Sequence, residues 1–197
     1  MHPLTSALGL LVDFVFDALL VLFLARLFAE LWRANFHNPI SQFTYRYTNP
    51  VLAPLRRVLP NWRRWNLAAI LIAWILELVK WLLMFVIGGA LPHIGGWLVM
   101  GIGSLLDFAL MMYVVLVFVW ALASMFTGSG GYGQSPNPLM QFVAQLVEPP
   151  MRPLSKHMPS LGGIDFSPAV AILVLLLARI LIADPILAAG VRMATGM

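Results

Sequence analysis

Apolar residues fall in four long blocks, at roughly 7–32, 67–90, 97–125 and 167–190. Each block exceeds the ~20 residues a helix needs to cross about 30 Å of hydrocarbon at ~1.5 Å per residue. None shows the ~10-residue alternation of a transmembrane strand, so all four are predicted to be helices. Polar and helix-breaking residues gather in two places, between the first and second blocks and between the third and fourth. The second and third blocks are joined only by the short link GGALPHIGG (88–96). Its glycines, with Gly101 and Gly103 beyond it, predict a tight hairpin with close helix approach.

Composition agrees with the pattern. The chain of 197 residues is 61% hydrophobic and 10% charged, where soluble domains are nearer half and a quarter. The excess apolar surface has to face lipid. The first block has no Lys or Arg before Leu4 and carries Asp13 and Asp17, so it reads as a retained helix and not a signal peptide.

Several chemistries lose their footing. With no Cys, disulfides, thiolate metal sites and cysteine nucleophiles are excluded. His2, His37, His93 and His157 are scattered without ligand spacing, so no metal site is expected. The glycine-rich stretch 128–136 lacks the P-loop lysine and reads as a linker. Ser155, Lys156 and His157 are adjacent but make no nucleophile arrangement. Neither a cofactor nor a catalytic constellation is expected. The basic balance, with a pI near 10.0, serves topology, and no nucleic-acid partner is expected.

That topology follows from the arginines. The connection 33–66 holds Arg33, Arg46, Arg56, Arg57, Arg63 and Arg64 without an acid. The connection 126–166 holds Arg152 and Lys156 with Glu148 and Asp165, and the link 88–96 has no Lys or Arg. The positive-inside rule then puts both long connections in the cytoplasm and both termini outside.

A shift of 99 residues sets Asn38-Pro39 on Asn137-Pro138, Gln42-Phe43 on Gln141-Phe142, Pro50 on Pro149, Pro54-Leu55 on Pro153-Leu154, and Pro60 on Pro159. The register continues through Asn66 on Asp165 and Lys80 on Arg179. The fold class is therefore an all-α membrane protein with four transmembrane helices in two parallel repeats, 1–98 and 99–197. Each repeat carries short amphipathic or re-entrant helices between its spans, at 38–60 and 137–159. Breakers between spans differ from the broken spans of familiar transporters.

Within each segment, Asn38 or Asn137 is placed to cap a helix whose first turn takes Pro39 or Pro138. Ile40, Phe43 and Tyr47 follow at helical spacing, as do Leu139, Phe142, Val143 and Leu146 in the second copy. Pro50 or Pro149 is expected to end that helix. A second short piece would present Val51, Leu52, Leu55, Val58 and Leu59 on one face. Such a segment either braces the spans, lines a path, or docks a membrane-protein partner or a second copy. Its arginines suit anionic lipid headgroups.

The doubled N-P-x-x-Q-F…P-x-x-x-P-L…P pattern and the stretch GGIDFSPAVAIL (162–173) resemble the YggT family of small bacterial membrane proteins, with relatives named YlmG. The resemblance covers nearly the whole chain. It implies a cytoplasmic-membrane protein tied in some bacteria to osmotic or potassium tolerance. In other lineages it implies cell-division or nucleoid organisation, or assembly of a membrane cytochrome. It brings no catalytic residues. The first copy departs from the second: Arg63, Arg64, Asn66, Ala68 and Ala69 stand where the second has Gly162, Gly163, Asp165, Ser167 and Pro168.

Ionisable groups inside spans each cost about 2.5–3.5 kcal/mol on insertion scales and need an account. Asp17, Lys80 and Arg179 fall about 20 Å from the cytoplasmic helix ends, and Asp13, Asp107 and Asp184 at roughly 26–28 Å. Glu77 lies one turn nearer the cytoplasm, in reach of Lys80. The expected partners of the two cations are Asp17, Glu77, Asp107 and Asp184. They would form either an ion-paired core that sets helix registry or a polar pathway. Two functions follow as expectations: a non-enzymatic factor that organises or assembles membrane components under osmotic or envelope stress, or a potassium- or proton-conducting component.

Overall fold

The computed structural model describes residues 3–59, 61–127, 137–156 and 166–196. Four helices are long and apolar enough to cross a membrane: α1 (Pro3–Leu31), α3 (Leu67–Ile87), α4 (Ile94–Thr127), and a fourth span in three parts. That span starts as α6 (Ser167–Ala178), passes through a π-helical turn at Arg179–Ala183, and continues as α7 (Asp184–Thr195). Two shorter helices, α2 (Pro39–Leu55) and α5 (Pro138–Ser155), lie between spans. Pro60, Pro159 and Asp165, singled out by the repeat, lie outside the described residues, as do Gly162, Gly163 and the linker 128–136.

The caps form where the sequence places them. Asn38 Oδ1 accepts from Ile40 N at 2.8 Å and Asn137 Oδ1 from Leu139 N at 2.9 Å, each ahead of a proline in the first turn. The two starts also meet: Asn38 Nδ2 donates to the Pro138 carbonyl at 2.8 Å, and Asn35 N to Gln145 Oε1 at 2.7 Å. Both segments therefore sit at one end of the bundle, its Arg-rich end.

The prolines do not end these helices, contrary to expectation. α2 runs through Pro50 and Pro54, and α5 through Pro149, Pro150 and Pro153. A proline deprives the carbonyl four residues earlier of its donor. For Pro150 that carbonyl is Leu146 O, and the Tyr113 hydroxyl of α4 donates to it at 2.5 Å. A neighbouring helix supplies the missing bond, and away from water a helix remains the cheapest way to satisfy the other backbone groups.

The inward face of α2 also differs. Ser41, Thr44, Thr48 and Leu52 are buried, while Phe43 and Tyr47 stand 53% and 58% exposed. Small side chains let α2 lie close to its neighbours. Their hydroxyls return to the helix's own carbonyls, Thr44 Oγ1 to Ser41 O at 2.9 Å and Thr48 Oγ1 to Thr44 O at 2.6 Å. Val51 and Val58 are likewise exposed, so the second expected face reduces to buried Leu52 with half-buried Leu55 and Leu59. In α5 the expectation holds: Phe142, Val143 and Leu146 are buried and only Leu139 is exposed.

Both short helices pack alongside the halves of the spans nearest the Arg-rich end. Leu52 joins Leu20, Phe23, Leu24 and Leu27 of α1 and Ala68, Ala69 and Ala73 of α3 in one core. Phe142 and Leu146 pack on Ala25 and Ala29, and Val143, Val147 and Met151 on Val117. At the far end Gly88 caps α3 and Gly89 takes φ 76° in the link, while Gly96 and Gly103 face the fourth span. A Cβ on Gly96 or Gly103 would overlap the backbone of Ala194 or Leu187, and one on Gly190 the backbone of Met100. These glycines bring α4 against α7. Gly101 faces Leu78 and Trp74 of α3 as expected.

Candidate functional site

Mid-span, α1, α3 and α4 bring one polar cluster together. Lys80 Nζ lies 3.0 Å from Asp17 Oδ1 and 3.1 Å from Glu77 Oε2. Glu77 is 0% exposed, and its Oε2 also accepts from Ser104 Oγ at 2.7 Å. Ser104 Oγ in turn accepts from Trp81 Nε1 at 2.9 Å. Phe108 covers the ammonium, its ring centroid 5.6 Å away. Lys80 and Glu77, three apart, share a helix face, and Asp17 faces them because α1 packs on α3. Both carboxylate oxygens of Glu77 are engaged, which is how a buried charge avoids its full desolvation cost.

Arg179, the repeat counterpart of Lys80, meets a different environment. Its Nε donates to Asp107 Oδ1 at 2.6 Å and its Nη1 approaches Met111 Sδ at 3.4 Å. Both side chains keep about a quarter of their surface exposed, 28% and 25%. The π-helical turn starts at Arg179 and inserts one extra residue per turn there. Of the seven groups expected in the polar network, five pair: Asp17, Glu77 and Lys80 in one cluster, Asp107 and Arg179 in the other. Asp13 is half-buried and makes no hydrogen bond or ion pair among the described residues. Asp184 is exposed and joins neither pair. The two clusters do not touch through any ion pair among the described residues.

A third cluster sits toward the Arg-rich end. Glu30 pairs with Arg26 on α1 and, at 2.5 Å, with Arg56 beyond α2, while Arg26 lies 4.4 Å over the Tyr45 ring. Arg26 and Glu30 are one i,i+4 step apart in the sequence, whereas Arg56 and Tyr45 come from elsewhere in the chain. Sequence reasoning also missed Ser104 and Trp81. A lone serine in the run Gly-Ile-Gly-Ser-Leu-Leu was the available signal, since a span hydroxyl needs a partner.

Asn38, Pro39, Asn137 and Pro138 start helices; Gln42 is exposed and Gln141 half-buried; Pro168, beside buried Ser167, opens α6. No group of three His, Cys, Asp or Glu residues suited to a metal ion occurs among the described residues. Chemically, the clusters pair opposite charges from different helices.

The family model described as CCB3/YggT matches residues 5–87 and 99–186. The chain is 31% identical over 192 residues to "Uncharacterized protein YggT" of Escherichia coli K12, covering 98% of this chain and 97% of that one. It is 35% identical over 172 residues to an uncharacterized protein of Pseudomonas aeruginosa, covering 83% and 81%. It is 29% identical over 181 residues to a protein of Vibrio alginolyticus, covering 91% and 95%. No solved structure matches.

Proposed function

The chain belongs to the CCB3/YggT family, and from that premise we propose that it is a non-enzymatic inner-membrane protein that organises or assembles other membrane components, with loss felt as osmotic or envelope stress. The observation that carries this reading is the closure of the mid-span charges on one another. Lys80 is held between Asp17 and Glu77, and Glu77 is further held by Ser104. Groups so engaged set registry more readily than they relay ions. Two repeats, 1–98 and 99–197, would then present α2 and α5 on the cytoplasmic side, with both termini periplasmic. The outward aromatic face of α2, with Phe43 and Tyr47, and the arginines beyond it would meet lipid, a second copy or a partner. Affinity capture in mild detergent tests the reading. A reproducible membrane-protein partner or homo-oligomer that α2-surface variants such as Phe43→Ala with Tyr47→Ala weaken is expected. Repeated recovery of the bare monomer overturns it.

A second reading, conduction of potassium or protons, draws on Asp13, which stands half-buried outside the pairs, and on the partly exposed Arg179–Asp107 pair. Flux in proteoliposomes separates the two readings. Conduction requires flux above empty vesicles that Lys80→Met or Arg179→Met alters. The organising reading expects none.

A further inference from the structure

We propose that α4, α5 and α6 form a binding site for one anionic glycerophospholipid, its acyl chain in an apolar groove and its phosphate at Arg152 and Lys156. The groove is a 480 Å³ cavity lined by Tyr113 and Val117 of α4, Pro150, Met151 and Leu154 of α5, and Ala171 of α6, among others. That volume lies within the about 300–1,000 Å³ range of small-molecule sites. Its lining is almost wholly apolar, and Val174 on its rim is exposed on the outside of the span, so the groove opens toward lipid tails.

A second cavity of 280 Å³, with charged residues among its walls, adjoins it and shares Met151. Its other walls are Trp120, Glu148, Arg152, Ser155 and Lys156. The two cavities are ordered along the membrane normal. On α4 the larger one takes Tyr113 and Val117, and the smaller one takes Trp120, three residues nearer the Arg-rich end. A lipid has the same order, tail toward the midplane and headgroup toward the surface, with tryptophan common at the boundary.

Charge selects the headgroup. Arg152 and Lys156 face one carboxylate, Glu148, and that pair is loose at 3.7 Å with the Arg152 side chain 74% exposed. The second cavity thus carries a net positive charge and donor-rich side chains, which match a headgroup of net negative charge better than a zwitterionic one.

The first repeat shows what a closed version looks like. Met151, Leu154, Ala171 and Leu175 correspond to Leu52, Leu55, Ile72 and Leu76. There Leu52 is fully buried, with Leu55, Ile72 and Leu76 packed against the same core. In the second repeat Ala171 stands for Ile72, which removes wall volume, and Arg152 stands for Ala53, which adds charge at the mouth. The chain thus fills one of two equivalent places with its own side chains and leaves the other open.

Native mass spectrometry of the full chain, titrated with phosphatidylglycerol and phosphatidylcholine of the same acyl chains, tests the site. The parent should retain one phosphatidylglycerol at least about fivefold more tightly than phosphatidylcholine, the effect of one net basic charge at a membrane surface. Ala171→Ile, which copies the first repeat, should lose both lipids. Arg152→Gln with Lys156→Gln should keep chain binding and lose the preference. Arg57→Gln, at the first-repeat counterpart of Lys156, should behave as the parent. Val174→Trp on the exposed rim provides a second block should Ala171→Ile fail to fold. Equal retention of the two lipids by the parent, retention by both groove-filling variants, or an equal loss in Arg57→Gln would each overturn the assignment.

Discussion

Lys80 and Arg179 hold the same place in the two halves of the chain, yet they are kept there by different means. Lys80 is buried between two acids, one of them on its own helix and fully enclosed. Arg179 meets a single acid from α4 at a partly exposed position, beside a π-helical turn. The acids are not repeat equivalents: Asp17 corresponds to Leu116, Glu77 to Leu176, and Asp107 to Leu8. The two halves hold a cation at the same register and draw its counter-charge from different positions. The outer halves diverge in the same way. α4 and α7 touch through glycine, whereas the counterparts of Gly103 and Gly190 in the first repeat are Leu4 and Leu91.

This contrast can be broken at its strongest point first. Lys80→Met leaves the enclosed Glu77 and its neighbour Asp17 without a cation, and should cost about 3–5 kcal/mol, the usual penalty for orphaning a buried charge. Arg179→Met should cost clearly less, since Asp107 retains access to its surroundings. Unfolding in detergent or nanodiscs with the two variants side by side measures the gap. Equal losses would mean that the two sites are energetically alike, against the difference in burial.

Close packing of the second half comes next. Gly103→Leu places a side chain in the backbone of α7 and should destabilise by roughly 1–3 kcal/mol through overpacking, with the α4–α7 distance opening as read by cross-linking. Leu4→Ala, at the equivalent place in the first repeat, should change stability little, because Leu4 is exposed.

The proline helix gives a sharper test. Where the second repeat has Pro150 and Tyr113, the first has Val51 and Phe14. The residue without an N–H and the hydroxyl that replaces it occur together, and both are absent together. Tyr113→Phe should therefore cost about 1–3 kcal/mol by orphaning the buried Leu146 carbonyl. Pro150→Val should return the missing donor, so the double variant should be less destabilised than the sum of the two. Strict additivity in that cycle would show that the hydroxyl does not serve the proline.

The smallest effect lies in the turn from Trp62 to Trp65, closed by reciprocal backbone hydrogen bonds of 3.1 and 2.9 Å. Arg63 sits there at φ 55°, a region that favours glycine, and the residue aligned with it in the second repeat is Gly162. Arg63→Gly should stabilise by roughly 0.5–1 kcal/mol, the relief of a left-handed arginine less the added chain freedom. A lower melting temperature would instead show that the Arg63 side chain holds the turn.

By itself the sequence determined the four long apolar helices, their order, the two Asn-Pro helix starts and the position of the two cations along their helices. These follow from run length, capping chemistry and position along a helix of constant rise, all of them local quantities. Only the tertiary structure decided that prolines continue the short helices, that Ser41, Thr44 and Thr48 face inward while Phe43 and Tyr47 face out, and that Ser104 completes the Lys80 cluster while Asp13 stays apart. In a membrane, lipid is as apolar as a core, so hydrophobicity along a helix does not say which face meets protein. Proximity of backbones, and a donor or acceptor from a neighbouring helix, make that choice, and both exist only once the helices are assembled.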